Sequence, residues 1–87
     1  MARMYDLRQK EVINTNDGTR FGFVSDLDID IKKGQVLSII VPGPGRVLGV
    51  FGRDQEYCIP WEMICKIGDD IILVDCKTDK VLVENDE

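Results

Sequence analysis

A rigid breaker in the middle of the chain constrains the fold more than any other feature. Residues 42–45 read Pro-Gly-Pro-Gly and lie between two apolar runs, 39–41 and 47–51. Proline fixes φ and removes an amide donor, whereas glycine opens positive φ, so neither a helix nor a strand can run through the breaker. Pro60 ends the next candidate strand because proline cannot donate to a central ladder. The two breakers predict short strands joined by sharp corners, and hence an all-β fold in a small closed barrel.

Size and charge limit what such a chain can do. The 87 residues predict one domain, with 44% apolar and 31% charged residues, which is typical of a globular protein. The formal net charge of −5 repels phosphate backbones, and only Lys32 and Lys33 are adjacent among the basic residues. Nucleic-acid binding would need a local basic patch, and none is visible, so we do not expect it.

Cysteine usage and the absence of histidine argue against a metal site. Cys58, Cys65 and Cys76 are an odd number at uneven spacings, and the chain has no histidine. A structural zinc site and a disulfide framework are both disfavoured, so we expect free thiols in a reducing compartment and no cofactor. The N-terminal residues lack the apolar core of a signal peptide, and no apolar run reaches membrane-spanning length. We therefore expect a cytoplasmic protein with no membrane span.

The clearest local pattern predicts a β-hairpin. Apolar residues alternate from Phe21 to Ile31 as in one half-buried strand. This pattern predicts that Phe23, Leu27, Ile29 and Ile31 face the core. The segment Lys32-Lys33-Gly34 predicts a turn into a buried partner strand over 36–41.

Shorter elements are predicted on either side. Strands are expected over 11–14, before an Asn-Asp-Gly turn, over 56–59, and over 71–74, after a Gly-Asp-Asp turn. Pro60 predicts a helical or 3₁₀ turn over 61–64 before a strand resumes at 65–67. Trp61 is expected to anchor the core against the strands of Ile39 and Ile72. The domain spans 1–87, with its core at about 7–76 and a frayed acidic tail at 84–87.

Two motifs resemble ion-binding sites, but each departs from the pattern that such a site requires. Asp26, Asp28 and Asp30 have the spacing of a calcium loop, but Ile31 and Leu37 occupy the places of its glycine and bidentate glutamate. We expect these carboxylates to face solvent without metal. The Gly-Pro-Gly-Arg corner with Arg46 and Arg53 could cradle an anion, yet its prolines remove the amides a cradle needs, which favours a structural corner beside an apolar flap.

We expect no enzyme and no catalytic residues. General acid/base chemistry would have to proceed without histidine, and no cysteine has neighbours that would strongly depress its pKa. The apolar run beyond the breaker predicts instead a patch for binding a partner, whether it is a strand or an exposed flap. The patch and its basic flanks consist of Arg46, Val47, Leu48, Val50, Phe51 and Arg53.

These motifs together resemble one family. The resemblance covers nearly everything from Leu7 to Val74, and its most specific part runs from the Gly-Arg corner through Ile59-Pro60-Trp61 to the Ile-Gly-Asp-Asp of 67–70. The chain resembles the PRC-barrel superfamily, and in particular its small YlmC/YmxH-type sporulation proteins of spore-forming Gram-positive bacteria. The resemblance implies a compact all-β barrel related to domains of the photosynthetic reaction centre H subunit and of a ribosome-maturation factor. In those settings the barrel is a docking module, and no functional residue is carried over.

The leading hypothesis is therefore a non-enzymatic β-barrel adaptor associated with sporulation. It would present the predicted patch to an unknown protein partner, or to a second copy in a homodimer. The alternatives are a ribosome- or RNA-associated module and a small-anion or metal sensor. The acidic balance of the chain disfavours an RNA-binding role.

Overall fold

The computed structural model describes residues 3–43 and 54–85, which form eight strands and three short helical segments. None of the described helices is long and apolar enough to cross a membrane. The elements, in chain order, are α1 Met4–Arg8, β1 Glu11–Asn14, β2 Arg20–Phe23, β3 Asp26–Asp30, β4 Gln35–Pro42, β5 Asp54–Pro60, a 3₁₀ helix Trp61–Met63, β6 Ile64–Ile67, β7 Ile71–Val74, α2 Thr78–Val81 and β8 Leu82–Asn85.

The strands form two four-stranded sheets, which confirms the predicted all-β fold. The first sheet has the order β2-β1-β7-β6 and the second the order β3-β4-β5-β8. Every described pairing is antiparallel except β1 with β7, which run parallel with Glu11 opposite Ile71 and Asn14 opposite Val74. The parallel pair departs from the expected all-antiparallel pattern. Between these two strands the chain passes through β3, β4 and β5 of the second sheet before it returns to the first. No pairing among the described strands joins the two sheets.

The alternating segment 21–31 is two strands, not one. Phe21 is buried in β2, Phe23 is 52% exposed, and Val24 is buried again. The chain crosses from the first sheet to the second at this point, where the Ser25 N–H donates to the Ile40 carbonyl over 2.8 Å. Gly22 has a φ of +110°, which other residues rarely adopt, and so eases the corner. The corner shifts the alternation, and the prediction that Phe23 faces the core is wrong.

The hairpin of β3 and β4 is confirmed. Leu27 lies opposite Ile39, and Gly34 supplies the positive φ of the turn. A bulge at Leu37 breaks the register between Asp28 and Ile29. Beyond the bulge the side chains of Ile29 and Ile31 are exposed, so the prediction that they face the core is wrong.

The end of the chain holds a strand that the sequence pattern missed. Glu84 lies opposite Gln55 in the pairing of β8 with β5, and the Gln55 Nε2 donates to the Glu84 carboxylate over 3.1 Å. The prediction of a frayed tail is thus wrong for Glu84 and Asn85, while residues 86–87 lie outside the described residues. A four-residue strand with two apolar side chains shows little periodicity in its sequence. Its backbone is held in the strand by pairing with the edge of β5.

The core lies between the two sheets and is mostly aliphatic. Among the described residues six aliphatic side chains are fully buried, three from each sheet: Val12, Ile72, Val74, Ile39, Val41 and Ile59. The rings of Phe21 and Tyr57 pack with centroids 4.6 Å apart. Trp61 is 36% exposed, so the prediction that it anchors the core is wrong. Pro60 ends β5 and starts the 3₁₀ helix, which holds the indole at the end of the sheet and outside the core cluster.

We predict that two isoleucine-to-alanine substitutions differ sharply in their cost. Ile59→Ala empties a fully buried site in β5 and should lower the free energy of unfolding by about 2–5 kcal/mol. Ile67→Ala, at a side chain that is 39% exposed in β6, should cost about 1 kcal/mol or less. Urea unfolding of both variants measures the difference, and equal costs would contradict this account of the core.

Candidate interaction surfaces

The binding patch predicted from the sequence lies in a part of the chain that the structure does not describe. Arg46, Val47, Leu48, Val50, Phe51 and Arg53 all lie outside the described residues. The binding role of this patch stays a prediction.

The described residues contain a different apolar surface, which surrounds Trp61. A groove of about 460 Å³ is lined by residues from the start of β4 and from the 3₁₀ helix: Gln35, Val36, Leu37, Trp61 and Glu62. The pairing of Ser38 with Pro60 brings these two segments together. We call this surface the Trp61 groove.

The Trp61 groove has an apolar floor because two local irregularities turn its residues outward. Leu37 lies at the bulge of β4 and is 46% exposed, while the 3₁₀ helix holds Trp61 partly exposed. Tryptophan is enriched where proteins bind one another, since it offers a large contact area. Glu62 adds a carboxylate to the lining. The sequence singled out Trp61, but nothing in its pattern distinguished this exposed position from a core position.

A buried asparagine fastens the first sheet to the segment after β7. Asn14 is fully buried, and its Nδ2 donates to the Cys76 carbonyl over 2.8 Å and to the Thr78 hydroxyl over 3.1 Å. Its Oδ1 accepts from the N–H groups of Asn16 and Cys76. Because both ends of the amide are satisfied within the chain, this network is structural. Sequence reasoning missed it, although Asn14 shares its strand face with Val12.

Asp17 extends the network to the surface. Its carboxylate accepts from the Thr19 N–H over 3.0 Å and from the Thr78 hydroxyl over 2.8 Å. The hydrogen bonds from Thr19 and then Thr78 lower the pKa of Asp17. Among the described residues no group of acidic or cysteine side chains could hold a metal ion.

We predict that Asp17 stabilises the fold only when it is ionised. A carboxyl group whose pKa is lowered by folding contributes stability above its unfolded value, near 3.8, and loses that contribution as the pH falls through the folded pKa. Asp17→Asn should therefore be less stable than the wild type at neutral pH, and the difference should shrink below about pH 4. Thermal unfolding across pH 2.5–7 tests this, and a difference independent of pH would count against the network.

The three cysteines are free and lie in different surroundings. Cys76 is buried, and burial followed by the charges of Asp17 and Asp75 raises the pKa of its thiol. Cys58 is half-buried, with its Sγ 3.3 Å from the Ser38 hydroxyl, and Cys65 is exposed. The chain has no histidine to act as a base beside any of them.

We predict that the thiols react in the order of their exposure. In the native protein Cys65 should react with a disulfide reagent within minutes, whereas Cys76 should react only after unfolding. Cys65→Ser should remove the fast phase. Rapid labelling of Cys76 in the native protein would show that the segment after β7 opens readily.

The three aspartates of β3 differ in their exposure to solvent. Asp26 and Asp28 are exposed, as predicted, while Asp30 is half-buried and accepts from the Lys33 N–H over 3.2 Å. Asp26 accepts from the neighbouring Leu27 N–H over 2.8 Å. Two of these carboxylates thus cap the local backbone. Their freedom from metal stays a prediction.

Comparison with known proteins gives consistent results. The family model described as the PRC-barrel domain matches residues 1–84. A Bacillus subtilis (strain 168) relative named probable sporulation protein YlmC is 42% identical over 74 residues, which covers 85% of this chain and 91% of the relative. An uncharacterised protein of Clostridium acetobutylicum is 44% identical over 68 residues, covering 78% of this chain and 77% of that protein. The uncharacterised protein YmxH of Bacillus subtilis is 29% identical over 75 residues, covering 84% and 87%.

Proposed function

The chain belongs to the PRC-barrel domain family, and from this premise we propose that it is a non-enzymatic adaptor that acts in sporulation by binding a protein partner. The link to sporulation rests on the similarity to a probable sporulation protein. The adaptor role rests on the Trp61 groove.

One observation carries the proposal, namely the partial exposure of Trp61 beside Leu37. A small domain gains stability from each large apolar side chain that it buries, at roughly 25 cal/mol for each Å². Here Trp61 and Leu37 remain 36% and 46% exposed around one groove. A partner that places an apolar side chain against them would remove this surface from water. Binding of this kind needs no chemistry at the site.

The proposed partner segment carries an apolar anchor next to a cationic residue. The anchor contacts Leu37 and Trp61, and the cation lies near Glu62 and the face of the indole, where the ring quadrupole also favours positive charge. The net charge of −5 favours a basic partner over a nucleic acid at longer range. An RNA-associated role, or sensing of a metal or small anion, has no comparable support among the described residues.

Self-association and a cytoplasmic location also belong to the proposal. On the outer face of the first sheet the register places Ile13 beside Leu73, and Phe23 beside Glu11. The charge of Glu11 is paired with Arg20 over 2.7 Å, which leaves this face nearly neutral and suited to a second copy.

The three free cysteines fit a reducing compartment.

We predict that Leu37→Asp breaks partner binding while Ile67→Asp does not. The two side chains are similarly exposed, at 46% and 39%, but only Leu37 lines the groove. A photo-crosslinker at position 35, an exposed residue that lines the groove, should yield an adduct in sporulating cells whose partner is identified by mass spectrometry. Leu37→Asp should lower the adduct yield by about tenfold or more, as expected for the loss of a central anchor.

Urea unfolding serves as the control that both variants remain folded. Counts of heat-resistant spores should fall with Leu37→Asp and stay near the wild-type value with Ile67→Asp. Equal adduct yields and equal spore counts in the two strains would refute the proposed role of the groove. An adduct between two copies of the chain would assign the groove to self-association.

A further inference from the structure

Charge is segregated between the two sheets. The strands of the second sheet contain no lysine or arginine, and their acidic residues are Asp26, Asp28, Asp30, Asp54, Glu56 and Glu84. The strands of the first sheet contain one acidic residue, Glu11, and two basic residues, Arg20 and Lys66. The second sheet is therefore the main source of the negative field on the described part of the molecule.

The strand register shows which of these carboxylates share the outer face. Asp26 lies opposite Ile40, which lies opposite Cys58, and this row alternates with the buried row of Ile39 and Ile59. By the same alternation Asp28, Glu56 and Val83 also point outward. We call this surface the acidic face and define it by Asp26, Asp28, Ile40, Glu56, Cys58 and Val83.

The acidic face combines carboxylates with apolar contact area. Ile40 and Cys58 are half-buried in its centre, and Val83 is 41% exposed at its β8 side. Asp26 and Asp28 are exposed along β3, and no described strand of this sheet contains a basic residue to face them. Lys32 and Lys33 lie in the hairpin turn, beyond the last strand pair of Asp30 with Gln35.

The acidic face adjoins the Trp61 groove. Asp28 lies opposite Ser38, which in turn lies opposite Pro60, the residue directly before Trp61. The groove itself includes the carboxylate of Glu62. A bound segment with its apolar anchor in the groove could therefore continue across the acidic face without meeting a basic side chain of the described sheet.

We propose that the acidic face binds a lysine- or arginine-rich segment of a protein partner, in which cationic and apolar side chains alternate. This inference rests on the adaptor role proposed for the groove and specifies the chemistry of its partner. A second copy does not fit, because face-to-face stacking would set carboxylates against carboxylates. A phosphate backbone is repelled for the same reason.

A pair of charge-matched variants tests the proposal in the full chain. Asp26→Asn/Asp28→Asn removes two charges from the acidic face, and asparagine keeps the oxygen that accepts from the Leu27 N–H. Asp69→Asn/Asp70→Asn removes two charges from the exposed turn between β6 and β7, where Lys10 binds the Asp69 carbonyl and not its carboxylate. Both variants have the same net charge, so a difference between them is local.

The probe is a fluorescein-labelled peptide of alternating lysine and valine, with a glutamate–valine peptide as its counterpart. The face variant should bind the lysine peptide about tenfold more weakly than the wild type, and the turn variant within about twofold. Amide resonances of Ile40, Cys58 and Val83 should shift on titration. Added salt should weaken binding, and the glutamate peptide should not bind.

Several results would overturn the proposal: equal weakening in the two variants, resonance shifts confined to the β6–β7 turn, or binding of the glutamate peptide. Sedimentation of a wild-type dimer that the face variant abolishes would also overturn it, because the face would then be a contact between copies. The experiments can contradict the proposal for the acidic face without contradicting the adaptor role of the groove. If the lysine peptide fails these tests while Leu37→Asp still abolishes the cellular adduct, the groove keeps its role and the acidic face loses its own.

Discussion

The contact between two sets of fully buried aliphatic side chains holds this small domain together. Val12, Ile72 and Val74 come from the first sheet, and Ile39, Val41 and Ile59 from the second. A chain of 87 residues has little apolar surface to spare, so these β-branched residues leave few inward positions unfilled. Phe21 adds an aromatic ring to this cluster, whereas Trp61 lies outside it. Pro60 ends β5 just before Trp61, so the indole sits in the 3₁₀ helix at the end of the sheet.

Local patterns predicted those elements whose signals are confined to neighbouring residues. The turn at Gly18, the hairpin turn at Gly34 and the 3₁₀ helix after Pro60 all follow from backbone preferences that act within a few residues. The crossing at Val24 could not be read in the same way, since an uninterrupted alternation does not reveal which sheet a residue joins. The parallel pairing of β1 with β7 and the addition of β8 to β5 depend on partners far away in the sequence.

The candidate surfaces were harder to predict than the fold for a related reason. A tryptophan looks the same in sequence whether it fills a core or lines a groove, and only the placement of the 3₁₀ helix distinguishes the two. The buried amide of Asn14 was hidden because its partners, Cys76 and Thr78, come from the other end of the chain. The aspartates of β3 were visible, but their meaning depended on the strands that pair beside them.

The segregation of charge makes the two outer faces unequal. In the first sheet Glu11 and Arg20 neutralise each other across a strand pair, so that stacking of a second copy meets no strong repulsion there. In the second sheet the carboxylates of Asp26, Asp28 and Glu56 have no basic side chain in their own described strands, and the same stacking would be opposed. The charge on the two faces therefore separates the two contacts that we propose, with a second copy at the first sheet and with a basic partner at the second.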